Sequence, residues 1–249
     1  MTNEKNWETV SFSSVVEYQR QYFTKLYNVT NFASGYYTTS NDPEYFNANS
    51  IIGVEKSATL SSDIYELLAQ GVETAKIQVP SGVLNFADEY DQISLISYEY
   101  QQSPISDEIE IHLVTEQNYL EYLKLSCALQ VQEYGKEYKQ DANATYLNQQ
   151  QYQMYIINYQ GINVGEFTYI PQLQAVESII ILSEYQRQGV MSQCFEVITK
   201  QLSPKIFMSS DKSSIGFYQK LNCQIIDSID VNYLYGNNRN LLMYLSLSI

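Results

Sequence analysis

The stretch from residue 176 to residue 202 restricts the possible folds more than any other part of the chain. A largely apolar segment, 176–182, reads as a buried strand, and it passes through Ser183-Glu184-Tyr185-Gln186-Arg187-Gln188-Gly189 directly into a new pattern. In that pattern Val190, Cys194, Val197, Ile198 and Leu202 recur at helical spacing, and Pro204 closes it. A strand that turns at a glycine into an amphipathic helix belongs to a layered α/β architecture.

Such a joint has chemistry of its own. The first amides of a helix lack internal acceptors and the helix dipole is positive there, so the joint can hold a phosphate without basic side chains, and Gly189 allows close approach of the backbone. Glycine-bearing joints also occur with no ligand at all, so spacing has to decide. A nucleotide P-loop requires two glycines followed by Lys and Ser or Thr, and a dinucleotide fold requires three glycines; neither pattern is present.

Composition removes other classes. Twenty-eight acidic residues against fourteen Lys and Arg give a formal charge of −14, which argues against a grip on nucleic-acid phosphates. One histidine, His112, and three scattered cysteines, Cys127, Cys194 and Cys223, argue against a zinc site, a histidine triad or any bound metal. The polar N-terminus and the absence of an apolar run of about 18 residues predict a cytoplasmic protein with no membrane partner. His112 reads as structural or exposed, and Cys194, on the apolar face of the helix, as core.

The remaining pattern predicts an N-terminal α/β module over 1–104 and a second domain over 105–249, with the boundary in the proline-bearing segment 101–107. In the first, helices are expected near 15–27 and 61–74 and strands near 51–54 and 92–100. In the second, a strand over 108–114 leads to a helix from about Glu116, capped by Thr115 and continuing toward Asn148. Strands 153–159 and 164–170 form a hairpin through Gly161. After a strand at 206–208, Ser209 or Ser210 caps a helix through Phe217, Tyr218 and Leu221, and strands at 224–231 and 241–247 finish the chain. The fold class is therefore α/β (α+β), a mostly antiparallel mixed sheet flanked by helices.

Gln186-Arg187-Gln188-Gly189-Val190-Met191 after an apolar strand resembles the central motif of the GNAT superfamily of acyl-CoA-dependent N-acyltransferases, Gln/Arg-x-x-Gly-x-Gly/Ala. The run from Asp211 to Tyr218, followed by Lys220-Leu221-Asn222-Cys223, is similar to that family's second landmark, an Asn-x-x-Ala-x-x-Phe-Tyr-like helix followed by Lys-Leu-Gly-Phe. Met191, Asp211, Asn222 and Cys223 depart from the pattern. The resemblance covers roughly residues 108–247, and the N-terminal half reads as a shortened, degenerate copy of the same fold.

The resemblance implies that Ile179, Ile180 and Ile181 offer backbone groups to a pantetheine arm, and that Arg187, Gln188, Gly189, Val190, Met191 and Ser192 supply amides to the pyrophosphate of acetyl-CoA, the acyl donor. Asp211 falls where the family's asparagine contacts the cofactor, and Tyr218 matches its general acid. A phenol, with an ordinary pKa near 10, holds a proton at neutral pH that it can give to a departing thiolate. For the base, Glu177 is the first candidate and Glu166 the second. The implied activity is acetyl transfer to a primary amine of a small molecule, peptide or protein. The tyrosine-bearing segment 36–46 is a candidate for lining the acceptor site. The alternative, motivated by Met191 and Asp211, is a non-catalytic acyl-CoA sensor or an interaction module.

Overall fold

The computed structural model describes residues 13–32, 35–39, 49–53, 60–80, 90–101, 108–135 and 153–247. They divide into two compact units, and the division does not fall at residue 104: the first takes Met1–Leu95, Ser210–Ile215 and Ile226–Ile249, the second Ile96–Ser209 and Gly216–Ile225.

The first unit begins with α1 (Ser13–Leu26), β1 (Asn28–Phe32), β2 (Gly35–Thr39), β3 (Ser50–Gly53), α2 (Leu60–Ala69) and β4 (Thr74–Pro80). Strand β5 (Tyr90–Glu99) belongs to it through Leu95 and to the second unit from Ile96. The long strand β11 (Gln224–Asn237) returns to pair antiparallel with β4, Val231 to Asn237 lying opposite Pro80 to Thr74, which explains why the C-terminal chain joins this unit. Its core gathers Ile51, Ile77 and Val79 of the sheet with Ile64 and Leu67 of α2 and with Leu241. Tyr36 and Tyr37 are core side chains of β2, and residues 40–46 of the expected acceptor segment lie outside the described residues.

Several expectations are corrected in this unit. The helix expected to reach Thr74 stops at Ala69 because Gly71 turns left-handed (φ +88°), and β4 begins at Thr74. Strands β1, β2 and β4 were not expected. The strand expected at 241–247 is a helix, α6 (Asn238–Leu247): Asn237 Oδ1 accepts the Asn240 amide at 3.1 Å and so caps the new helix where β11 ends.

The second unit runs from β5 through β6 (Ile109–Leu113), α3 (Tyr119–Tyr134), β7 (Gln153–Tyr159), β8 (Ile162–Ile170), β9 (Ala175–Ile181), α4 (Val190–Gln201) and β10 (Lys205–Ser210) to α5 (Ile215–Lys220). Strands β10-β9-β8-β7-β6 are neighbours in that order, antiparallel except for the parallel β9–β10 contact. The β7–β8 hairpin turns on Gln160 and Gly161, both at positive φ, as a two-residue loop of the primed type requires. Stacked Tyr155 and Phe167 rings, 4.9 Å apart, pin its register.

Helix α3 starts three residues later than expected. Asn118 precedes its first turn, and Asn118 Oδ1 accepts the Thr115 amide at 2.6 Å, so Thr115 is served by the asparagine instead of capping the helix. The helix ends at Gly135 (φ +71°), and the expected continuation toward Asn148 lies outside the described residues. Ser209 and Ser210 belong to β10 and do not cap α5. Among the described residues no helix is long and apolar enough to cross a membrane.

Candidate functional site

Strand β9 is irregular where it matters. Thr168 pairs with Glu177 and Glu166 with Ile180, so two residues of β9, Ser178 and Ile179, stand against Phe167 alone. This is a bulge, and Ser178 adopts the left-handed conformation (φ +53°) that it demands. Gly165 makes the close approach beside it possible: a Cβ there would lie 2.4 Å from Ile180 O.

On its other side β9 pairs with β10 at a single rung, Ala175 with Phe207, supported by the Phe207 amide bonding to Gln174 O at 2.9 Å. Beyond that rung no further pair forms, and the two strands part. The Leu182 amide bonds to Val164 O, which directs the backbone groups of Leu182 toward β8 and those of Ile181 toward the parted edge. Ile181 N–H faces that edge, while Ile181 O already accepts Gln132 Nε2 at 3.2 Å and Gln186 Nε2 at 3.0 Å. The bulge and the parting together give this strand an edge on which an extended amide-bearing chain can lie.

The chain then forms a short 3-10 turn over Ser183–Tyr185, passes Arg187 in a left-handed conformation (φ +61°) and enters α4 at Gly189 (φ +83°). The Gln193 amide closes the first turn onto Gly189 O at 3.1 Å, and among the described residues no side chain caps the helix. Arg187, Gln188 and Gly189 are exposed, Val190 is buried, and Met191 and Ser192 are half-buried. The Gln188 side chain bonds to Glu184 O at 2.6 Å.

A phosphate-bearing ligand fits this geometry. A Cβ placed on Gly189 would meet only Gln193 Nε2, at 3.9 Å, so the space beside the helix end is open. The other end of that amide, Gln193 Oε1, is buried with no hydrogen-bond partner, an acceptor open to a donor group and not to a phosphate oxygen. The amides of Val190, Met191 and Ser192 are the helix end's remaining donors.

The structure sorts the candidate chemical groups. Tyr218 lies half-buried on α5, its ring edge-on to Phe195 of α4 at 6.0 Å and to Phe217 at 5.2 Å. Phe195 is fully buried and also packs on Tyr98, whose hydroxyl donates to Glu196 Oε1. Burial pushes the Tyr98 phenol up, and the Glu196 contact adds to the shift.

Glu177 is half-buried at the rung opposite Thr168, and Glu166 lies two residues along β8 from Thr168, so both carboxylates project from the same face of the sheet. Glu166 Oε1 accepts the Ser126 hydroxyl at 3.3 Å, and its Oε2 is buried without a partner. Burial pushes the Glu166 carboxyl up to about 7, against the smaller opposing effect of the Ser126 bond.

Asp211 belongs to the first unit and is exposed. Its Oδ1 accepts the Ser213 hydroxyl at 2.8 Å and the Ser214 amide at 2.9 Å, a capping arrangement before α5. His112 is exposed beside Glu110, and Cys194 is fully buried with its thiol pushed up by burial.

Sequence reasoning missed the bulge, the buried setting of Glu166, and the two α3 side chains that reach the site, Ser126 and Gln132. One signal was available: α3 places Ser126 and Gln130 among the apolar residues Tyr122, Leu125 and Leu129 of its buried stripe.

No protein-family model matches the sequence, and no curated protein matches it. Solved structures do. A functionally unknown conserved protein from Staphylococcus epidermidis ATCC 12228 superposes with a TM-score of 0.59 at 12% identity, covering 91% of this chain and 98% of its own. A GCN5-related N-acetyltransferase from Kribbella flavida superposes with a TM-score of 0.59 at 12% identity, covering 90% of this chain and 96% of its own. With its bulged and parted strand leading into an uncapped helix, the chain has the GNAT fold.

Proposed function

We propose that the protein is an N-acetyltransferase that takes its acyl group from acetyl-CoA and passes it directly to a primary amine. The observation that supports this most is the continuous arrangement of the parted edge of β9, the turn through Gly189 and the uncapped start of α4. It suits a ligand with an extended amide-bearing arm joined to a pyrophosphate.

In this reading Arg187, Gln188, Gly189, Val190, Met191 and Ser192 form the pyrophosphate turn, chiefly through backbone amides. Ile179 and the N–H of Ile181 hold the arm, and Ile180 faces β8 and fixes the strand. Acetyl-CoA supplies a thioester carbonyl and a thiolate leaving group. Glu166 takes the proton of the acceptor's ammonium, directly or through a water, because its buried carboxyl titrates near the pH at which it must act. Glu177, on the same face, adds a negative charge that favours a cationic acceptor. As the C–N bond forms and the C–S bond breaks, Tyr218 gives its phenolic proton to sulfur, and the second proton of the amine, lost as the amide forms, restores the phenol through solvent. Asp211 acts indirectly, by fixing the turn from which α5 starts.

Incubating the protein with acetyl-CoA and a panel of primary amines, while following thiol release, tests the activity. Turnover with at least one amine is expected. Calorimetric CoA binding without turnover on any amine would point instead to an acyl-CoA sensor, and the absence of both to an interaction module.

A further inference from the structure

Gln132 lies near the end of α3, and its side-chain amide makes two backbone contacts on the segment that leaves β9. Its Nε2 donates to Ile181 O at 3.2 Å, and its Oε1 accepts the Ser183 amide at 2.7 Å. Both ends of one planar amide are therefore committed to residues two apart in sequence, which fixes the direction of the chain as well as its distance from α3. Gln186 Nε2 shares the same carbonyl at 3.0 Å, so both lone pairs of Ile181 O are used.

The segment from Ser183 to Gly189 has few other ties to the rest of the fold. Its internal bonds are short-range, from the Tyr185 amide to Leu182 O, the Gln186 amide to Ser183 O and the Gln188 side chain to Glu184 O. Among the described residues, its ties to other elements are the Gln132 bond at Ser183, the Gln186 Nε2 bond to Ile181 O of β9 and the Tyr185 ring set edge-on to Tyr159 of β7 at 6.3 Å; of these, Gln132 alone comes from a helix. Arg187 and Gly189 both sit at positive φ, and Arg187 to Gly189 are exposed. An exposed turn with such backbone requirements has many conformations open to it, and ordering it on ligand binding lowers affinity.

We propose that Gln132 is a positioning residue for cofactor binding: its two-point contact with Ile181 and Ser183 holds the turn in the form that aims the Val190, Met191 and Ser192 amides at one place. This rests on the reading of the turn as the CoA pyrophosphate site. It also sets the pairing rule on the parted edge, since with Ile181 O occupied an extended arm can accept from Ile181 N–H but cannot donate to its carbonyl.

Two measurements on the full chain separate this proposal from the reading beneath it. In the free protein, Gln132→Ala is expected to speed hydrogen exchange of the peptide spanning 181–186 by about tenfold, the scale of one lost hydrogen bond, while exchange elsewhere in β8 and β9 is unchanged. By calorimetry CoA affinity is expected to fall about tenfold, and in turnover the KM for acetyl-CoA to rise by the same factor with kcat and the acceptor KM unchanged.

Gln186→Ala is expected to weaken binding less than Gln132→Ala, and the double variant less than the product of the two, because both amides serve one carbonyl. Gln132→Glu, which keeps the Ser183 contact and loses the donor, serves if the alanine variant does not fold, and is expected to weaken CoA binding at least as much. Unchanged exchange in a folded variant overturns the clamp. Faster exchange with unchanged CoA affinity overturns its role in binding and leaves the CoA site standing. A wild-type protein that orders 181–186 yet binds no CoA overturns the site itself, and the positioning role with it.

Discussion

At the joint between β10 and α5, Asp211 accepts the Ser213 hydroxyl and the Ser214 amide, so the backbone leaving the strand meets a carboxylate supplied by the chain itself. Partial burial works to raise the Asp211 carboxyl, but these bonds outweigh it and hold it below its ordinary range. At the earlier joint, between β9 and α4, the helix starts on a left-handed glycine with no side chain at its end. Both are short strand-to-helix connections in a GNAT fold. The difference teaches how to read such ends: a terminus satisfied by its own sequence builds structure, whereas one left open beside unfilled space has donors to offer a ligand.

In the proposed mechanism the open joint binds and the closed one presents the chemistry through Tyr218. Tyr218→Phe is therefore the sharpest test. It is expected to lower kcat by about 10²-fold or more while CoA affinity stays nearly constant, with thermal stability measured on the same preparation. A folded, fully active variant would remove the acid role from α5.

Gly189→Val attacks the open joint. At φ +83° a β-branched residue is strained, and its methyls occupy the space beside the helix amides, so CoA affinity is expected to fall by tens of fold in a folded protein. Calorimetry against CoA checks it, and unchanged affinity would remove the distinction between the two joints.

Glu166→Gln is expected to lower kcat/KM about tenfold above pH 7 and to abolish the rise through about pH 7 that an ionising base imposes. The stability effect has a definite sign. With its carboxyl raised from 4.5 to about 7, the folded protein holds a proton that the unfolded chain has released, so Glu166 lowers stability as pH rises through that window. The melting-temperature advantage of the glutamine variant should thus widen from pH 5 to pH 8. The same pH profile measured on Glu177→Gln decides which carboxylate is the base.

The smallest effect belongs to the closed joint. Asp211→Ala is expected to cost about 1 kcal/mol of stability in a denaturant titration, the usual scale for a lost cap, and to leave the KM for acetyl-CoA within about twofold. A large loss of cofactor affinity at unchanged stability would instead make Asp211 a direct ligand contact.

The joint at Gly189 was legible because its signals are local: an apolar strand, a glycine and a helical period that recur within thirty residues of one another. The β7–β8 hairpin was legible for the same reason. The bulge at Ser178 was not, since it depends on the register against β8 and on the missing side chain of Gly165, neither of which marks the sequence of β9 itself. Glu166 ranked behind Glu177 as a base in the sequence because its partner Ser126 lies forty residues away and only the fold places it there. Polar β1, Asn-Val-Thr-Asn-Phe, has no apolar alternation to read, and the final helix was mistaken for a strand because Asn237 caps it only through its contact with Asn240.

The chain passes between its two compact units at residues 95/96, 209/210, 215/216 and 225/226. Truncating the gene at residue 104 would strip β4 of the strand it pairs with along Thr74 to Pro80, and no other single cut separates the units either. For recombination, this makes the protein a poor donor of modules. Neither unit can be moved into another gene as one uninterrupted stretch of coding sequence, so homologous exchange that preserves folding has to carry both units together.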